Sequence, residues 1–234
     1  MSFTPPYAGA VTLLFVGSVL ALGAAVVVFI AALGAGRRSV AKATVIATAL
    51  SATLYFGVLL TVAASSEEKV LPAGQTKYFC EIDCHIAYSV SGVRTAKTLG
   101  EGSEAATAEG VFYIVTLRSW FDEDTISSRR SKDVPLAPNP REIFVYDAAG
   151  RSYPTSLAGQ KAIVSSSVPL THPLKPGESY ETTLVFDLPA AVQHPRLLVA
   201  DWLPLNALII GHENSFGHKK TFFALVPATH TAQR

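Results

Sequence analysis

Two long uncharged stretches at the N-terminus, residues 2–36 and 43–66, are separated by a short basic turn that carries Arg37, Arg38 and Lys42. Each stretch exceeds the ~20 apolar residues that a bilayer-spanning helix needs. The chain therefore reads as a transmembrane hairpin followed by something quite different. Orientation follows from the positive-inside rule, because the basic side chains crowd the turn while residues 1–7 carry none. The turn is expected to face the cytoplasm, with both termini and everything beyond residue 66 on the far side. A cleaved signal peptide fits less well: the first stretch lacks a basic n-region, and its apolar run is too long.

The 234 residues divide on this reading into a hairpin at 1–66, a linker at 67–76 containing Pro72, Ala73 and Gly74, a β domain at 77–228 and a tail at 229–234. The β part is of ordinary single-domain size. A formal net charge of +1 offers no electrostatic footprint for nucleic acid, which is excluded as a partner. Small residues recur at four-residue spacing, as Gly17, Ala21 and Ala25 in the first span and as Ala47 with Ser51, or Thr53 with Gly57, in the second. Such stripes let helices approach closely, either within the hairpin or against another subunit. No acidic or basic residue lies within either span, which argues against an ion pathway through this chain.

Beyond the linker the pattern changes to short β-branched and aromatic runs separated by turn chemistry, the signature of an antiparallel sandwich. Strands are expected at 76–81, 85–93, 111–121, 142–147, 161–165, 179–187, 196–201 and 220–226. The clearest is 179–187, where Tyr180, Thr182, Leu184 and Phe186 alternate with Glu181, Thr183, Val185 and Asp187. It is entered through Lys175-Pro176-Gly177-Glu178, whose proline presets φ for the first corner of a type II turn and whose glycine supplies the positive φ of the second. Residues 100–110 and 122–140 read as loops.

Three stretches carry a resemblance: 77–85 (KYFCEIDCH), 174–179 (LKPGES) with 184–189 (LVFDLP), and 210–221 (IGHENSFGHKKT). They resemble a group of uncharacterised bacterial membrane proteins that have an N-terminal transmembrane hairpin and an immunoglobulin-like extracytoplasmic β-sandwich. The resemblance covers nearly the whole chain and implies a fold, without an established activity. It implies a bacterial inner membrane crossed twice, with the sandwich in the periplasm.

The chemically suggestive cluster is Cys80, Cys84 and His85. In one straight strand the two cysteine Cα atoms would lie about 13 Å apart, beyond the reach of a disulfide. A bridge, the expected state in an oxidising compartment, therefore requires a turn at Glu81-Ile82-Asp83. A second reading is a redox metal. Cytochrome oxidase subunit II is similar in topology, with a hairpin, an exported sandwich and two copper-bridging cysteines three residues apart. Its pattern places histidine and methionine four and seven residues after the second cysteine, where this chain has Tyr88 and Ser91. A third reading is covalent haem, for which this spacing is a rare variant and for which the sole methionine, Met1, leaves only another histidine as a second axial ligand.

No other motif carries chemistry. His212-Glu213 with His218 departs from a zinc-protease helix because Phe216 occupies the second ligand position, and there is no Gly-x-Ser-x-Gly elbow or phosphate loop. The expectation is a protein without cofactor or catalysis: an accessory subunit of a larger membrane complex of respiratory or photosynthetic type, its partners being the lipid bilayer and other membrane subunits. The alternatives are a membrane-anchored electron carrier using Cys80, Cys84 and His85, and a stand-alone envelope-binding module.

Overall fold

The computed structural model describes residues 2–3, 7–79, 85–126, 131–163 and 167–227. The chain divides into two compact units: Pro6–Glu67 with Leu203–Lys219, and Met1–Pro5 with Glu68–Trp202 and Lys220–Arg234.

The first unit is built on helices α1 (Ala8–Gly34) and α2 (Arg38–Ala64), each long and apolar enough to cross a membrane. Almost none of either helix is buried within the protein, so neither is the core helix of a globular domain. Helix α1 stops because Gly36, at φ 70°, takes the left-handed conformation that side-chain-bearing residues avoid. The Arg37 and Gly36 amides then donate to the Ala32 and Leu33 carbonyls at 2.8 and 3.0 Å, the double closure of a Schellman motif. Helix α2 restarts at Arg38, so the basic turn seen in the sequence is also the hairpin bend.

The second unit pairs two five-stranded sheets into a β-sandwich-like fold. Its strands are β1 (Ser2–Phe3), β2 (Lys69–Leu71), β3 (Thr76–Phe79), β4 (Ile86–Leu99), β5 (Ala106–Phe121), β6 (Arg141–Tyr146), β7 (Ser152–Tyr153), β8 (Ser179–Leu188), β9 (Arg196–Asp201) and β10 (Thr221–Ala224). The sheet orders are β1-β3-β4-β5-β8 and β2-β10-β9-β6-β7. Pairing is antiparallel except at the edges, where the short strands β1 and β2 run parallel to β3 and β10. Inward-facing Phe79, Tyr88, Val115, Leu117 and Phe186 from one sheet meet Val145, Leu197, Val199 and Phe223 from the other in one contiguous core. The six-residue helix α3 (Leu157–Ala162) covers the outer face of the first sheet: a Cβ on Gly159 would come within 2.5 Å of Val185 and 3.2 Å of Phe112.

Several expectations need correction. Residues 161–165 are not a strand: Lys161 and Ala162 end helix α3, and 164–166 lie outside the described residues. The loop expected at 100–110 is shorter than that: residues 106–110 already belong to β5, and the β4–β5 hairpin closes through a 3-10 turn at Gly102–Glu104. The segment read as a linker supplies β2 and then a turn at Pro72-Ala73-Gly74, with Gly74 at φ 80° and the Gln75 amide donating to Pro72 at 3.2 Å. By contrast, the turn into β8 forms as its sequence dictates, with Gly177 at φ 83° and Glu178 donating to Lys175 at 3.0 Å. The disulfide is withdrawn: the structure contains no disulfide among its described residues, and Cys80 and Cys84 lie in the segment 80–84 outside them.

Candidate functional site

Helices α1 and α2 enclose an open cavity of about 560 Å³. Its walls include Phe15, Ala21, Ala25, Ala47, Ser51 and Tyr55, and Leu208 closes one side. Four of the seven residues in the small-residue stripes thus line one space. The other three do not: a Cβ at Gly17 or Gly57 would meet nothing within 4 Å, and the Thr53 hydroxyl donates to the Ala49 carbonyl at 2.9 Å, turning its polarity back into the helix. The stripes therefore divide between an internal groove and positions where, among the described residues, nothing approaches within 4 Å. Arg38 and Lys42 border a second cavity of about 400 Å³ together with Phe29 and Leu33.

Tyr55, the sole tyrosine of either span, was missed as a functional position by the sequence reading. Its hydroxyl donates to the Leu208 carbonyl at 2.7 Å and ties the segment Leu203–Lys219 to α2. A lone phenol in an apolar span is the signal that such a bond exists, since a hydroxyl in hydrocarbon needs an acceptor. The acceptor's identity is not encoded locally, because it lies 153 residues away.

In the β unit, His85 is a buried packing residue beside the undescribed cysteines. Its ring stacks on Phe121 at 5.5 Å, and Nδ1 lies 2.8 Å from the Thr125 hydroxyl. The Thr125 hydroxyl also donates to the Asp122 carbonyl at 3.0 Å. Asp122 organises the rest of the corner, accepting from the Tyr78 hydroxyl at 2.5 Å and from the Asp124 amide at 3.0 Å. Burial, reinforced by the Asp122 carboxylate, raises the Tyr78 phenol well above its ordinary range. Among the described residues no group of three His, Cys, Asp or Glu side chains is placed to hold a metal.

A second buried polar group was invisible in the sequence. Lys77 alternates with Phe79 on the inward face of β3, and its ammonium donates across the sandwich to the Val199 and Thr221 carbonyls at 2.7 and 3.1 Å. Arg141 and Asp201 face each other across the β6–β9 ladder and form a buried ion pair. The Arg141 guanidinium also lies 4.2 Å from the Phe79 ring centre and 5.7 Å from that of Tyr88. Burial raises the Tyr88 phenol, and the neighbouring Arg141 opposes the shift. This cluster joins the two sheets.

No protein family and no curated protein matches the chain. Two solved structures are similar to it. A conserved hypothetical protein from Bacillus anthracis shares 18% identity, over 52% of this chain and 89% of that one, with a TM-score of 0.38. The secreted protein MPT63 from Mycobacterium tuberculosis shares 12% identity, over 69% of this chain and 98% of that one, with a TM-score of 0.41. Function has to be argued from the site itself.

Proposed function

We propose that this protein is a non-catalytic accessory subunit of a larger integral-membrane complex. Its hairpin docks beside the other subunits, and its immunoglobulin-like sandwich covers the extracytoplasmic face of the assembly. The observation that carries this reading is the hairpin's unfilled surface: a groove of about 560 Å³ between α1 and α2, and glycines at 17 and 57 that meet nothing. Without a hydrophobic drive between helices in lipid, association depends on close packing, which small residues and an open groove permit. The basic turn at Arg37, Arg38 and Lys42 supports an orientation with the bend in the cytoplasm and the sandwich in the periplasm of a bacterial cell. The topological analogy with cytochrome oxidase subunit II favours a respiratory or photosynthetic partner.

The test is isolation of the intact chain from native membranes in mild detergent, followed by mass spectrometry of everything that co-elutes in stoichiometric amount. A constant set of membrane proteins is expected, and it should dissociate when Ala21→Leu and Ser51→Leu fill the groove. A lone particle, or a set indifferent to those substitutions, overturns the reading.

A further inference from the structure

The segment Leu203–Lys219 belongs to the helical unit although its chain neighbours on both sides are β strands. It begins within the ten uncharged residues 202–211, WLPLNALIIG, a length too short to span a bilayer but suited to entering one. Its attachments run along the last three turns of α2. The Lys219 amide donates to the Ser66 hydroxyl at 2.8 Å, a Cβ on Gly217 would stand 4.0 Å from Ala63, and a Cβ on Gly211 would stand 3.6 Å from Val62. Deepest is Leu208, whose carbonyl takes the Tyr55 hydroxyl at 2.7 Å. Tyr55, Leu59 and Ala63 lie on one helix face, and Ser66 follows just beyond the helix end, so the segment descends along that face and returns.

The depth can be worked out from the helix. With Lys42 at one membrane boundary, ~30 Å of hydrocarbon takes about 20 residues and ends near Val62. Tyr55 then sits about 10 Å inside that boundary, and helical side chains lean toward the helix N-terminus, which here is the deeper direction. Leu208 is drawn to the same depth.

The segment's own chemistry fits hydrocarbon. Non-helical backbone is tolerated there only when its polar groups are satisfied within the protein. The Leu203 and Asn206 carbonyls accept from the Asn206 and Ile209 amides at 3.1 and 3.2 Å, and the Ala207 carbonyl accepts from the Phe216 amide at 3.3 Å. Ile209 accepts both the His212 amide, at 3.1 Å, and the Ser215 hydroxyl. Pro204 has no amide to satisfy. Meanwhile Leu205 and Phe216 are 54% and 57% exposed, apolar side chains facing outward, and Trp202 just before the segment is 51% exposed.

We propose that Leu203–Lys219 is a re-entrant membrane loop, with Leu205 and Phe216 embedded in lipid acyl chains and Trp202 at the headgroup boundary. This rests on the two-span reading of α1 and α2. The occupant is lipid because the loop continues the lipid-facing surface of a membrane helix, at a depth where water is absent.

The experiment uses the full chain reconstituted in phosphatidylcholine vesicles, with bromine placed on the acyl chains as a fluorescence quencher and iodide as the aqueous one. The two native tryptophans, Trp120 and Trp202, are replaced by phenylalanine. Leu205→Trp in that background should then be quenched by brominated lipid as strongly as Leu20→Trp in α1, and should resist iodide. A separate Trp120→Phe chain, which keeps native Trp202 and an unaltered loop, should also be quenched by lipid. Iodide quenching of both loop probes, with Leu20→Trp still lipid-quenched, overturns the re-entrant loop while leaving the spans intact. Failure of Leu20→Trp to report lipid overturns the two-span reading and the loop with it.

Discussion

Asp201→Asn tests how the β unit tolerates charge in its interior. The Arg141 and Asp201 side chains are 4% and 7% exposed, and the guanidinium cannot shed its proton to escape burial. Removing the carboxylate charge leaves a desolvated cation, for which breaking a buried pair costs about 3–5 kcal/mol. The aromatic rings of Phe79 and Tyr88 beside Arg141 do not compensate, because they attract the cation equally before and after the change. For a domain of this size the loss corresponds to a fall of about 6–20 °C in melting temperature. The assay is thermal unfolding of the detergent-solubilised chain followed by tryptophan fluorescence, since Trp120 packs edge-on against Tyr78 in β3. Adding Arg141→Met should recover most of the loss, because the orphaned charge is then gone. A fall of less than about 1 kcal/mol for Asp201→Asn, or a double variant no better than the single one, would refute the reasoning.

Three further outcomes are expected. Gly110→Ala should destabilise the β unit by at least ~1–3 kcal/mol, because the new Cβ would lie 1.9 Å from the Leu188 carbonyl oxygen, whereas Gly92→Ala, which meets only Thr116 at 3.6 Å, should be tolerated; equal melting temperatures would contradict this. Asp147 accepts from the Ala149 and Arg151 amides, the Arg151 guanidinium and the Tyr153 hydroxyl; burial pushes its carboxyl up, but these bonds prevail and hold it below its ordinary 3.8. The unfolded chain then binds the proton first, so stability from this group is complete above about pH 4 and is lost as pH falls through the lower folded value; Asp147→Asn should flatten that part of an acid titration of stability. Tyr55→Phe removes one hydrogen bond worth about 0.6–1 kcal/mol, and hydrogen exchange should rise in Leu203–Lys219 without any change in the β unit.

The local chemistry of the sequence was enough for everything governed by short-range rules. Residues 8–34 and 38–64 form two helices long and apolar enough to cross a membrane, the one backbone arrangement that lets a single segment satisfy its own polar groups in lipid, and Gly36 marks the bend because the chain needs a left-handed residue there. The period-two pattern of residues 179–187 and the Lys-Pro-Gly-Glu turn were legible for the same reason. The small-residue stripes were visible as well, but which members share a cavity depends on the rotation of α1 against α2, and that is a property of their packing. What the tertiary structure alone decided are pairings between distant residues. Lys77 reads as a surface lysine until β9 and β10 bring the Val199 and Thr221 carbonyls to it, and Arg141 and Asp201 are 60 positions apart in a chain that makes them cross-strand neighbours. The run 202–211 carries no assignment of its own until Tyr55 claims Leu208. Composition states that such groups need partners; only the closed fold states which partners they find, because desolvation is a property of the whole surrounding shell and not of the residues beside them in the chain.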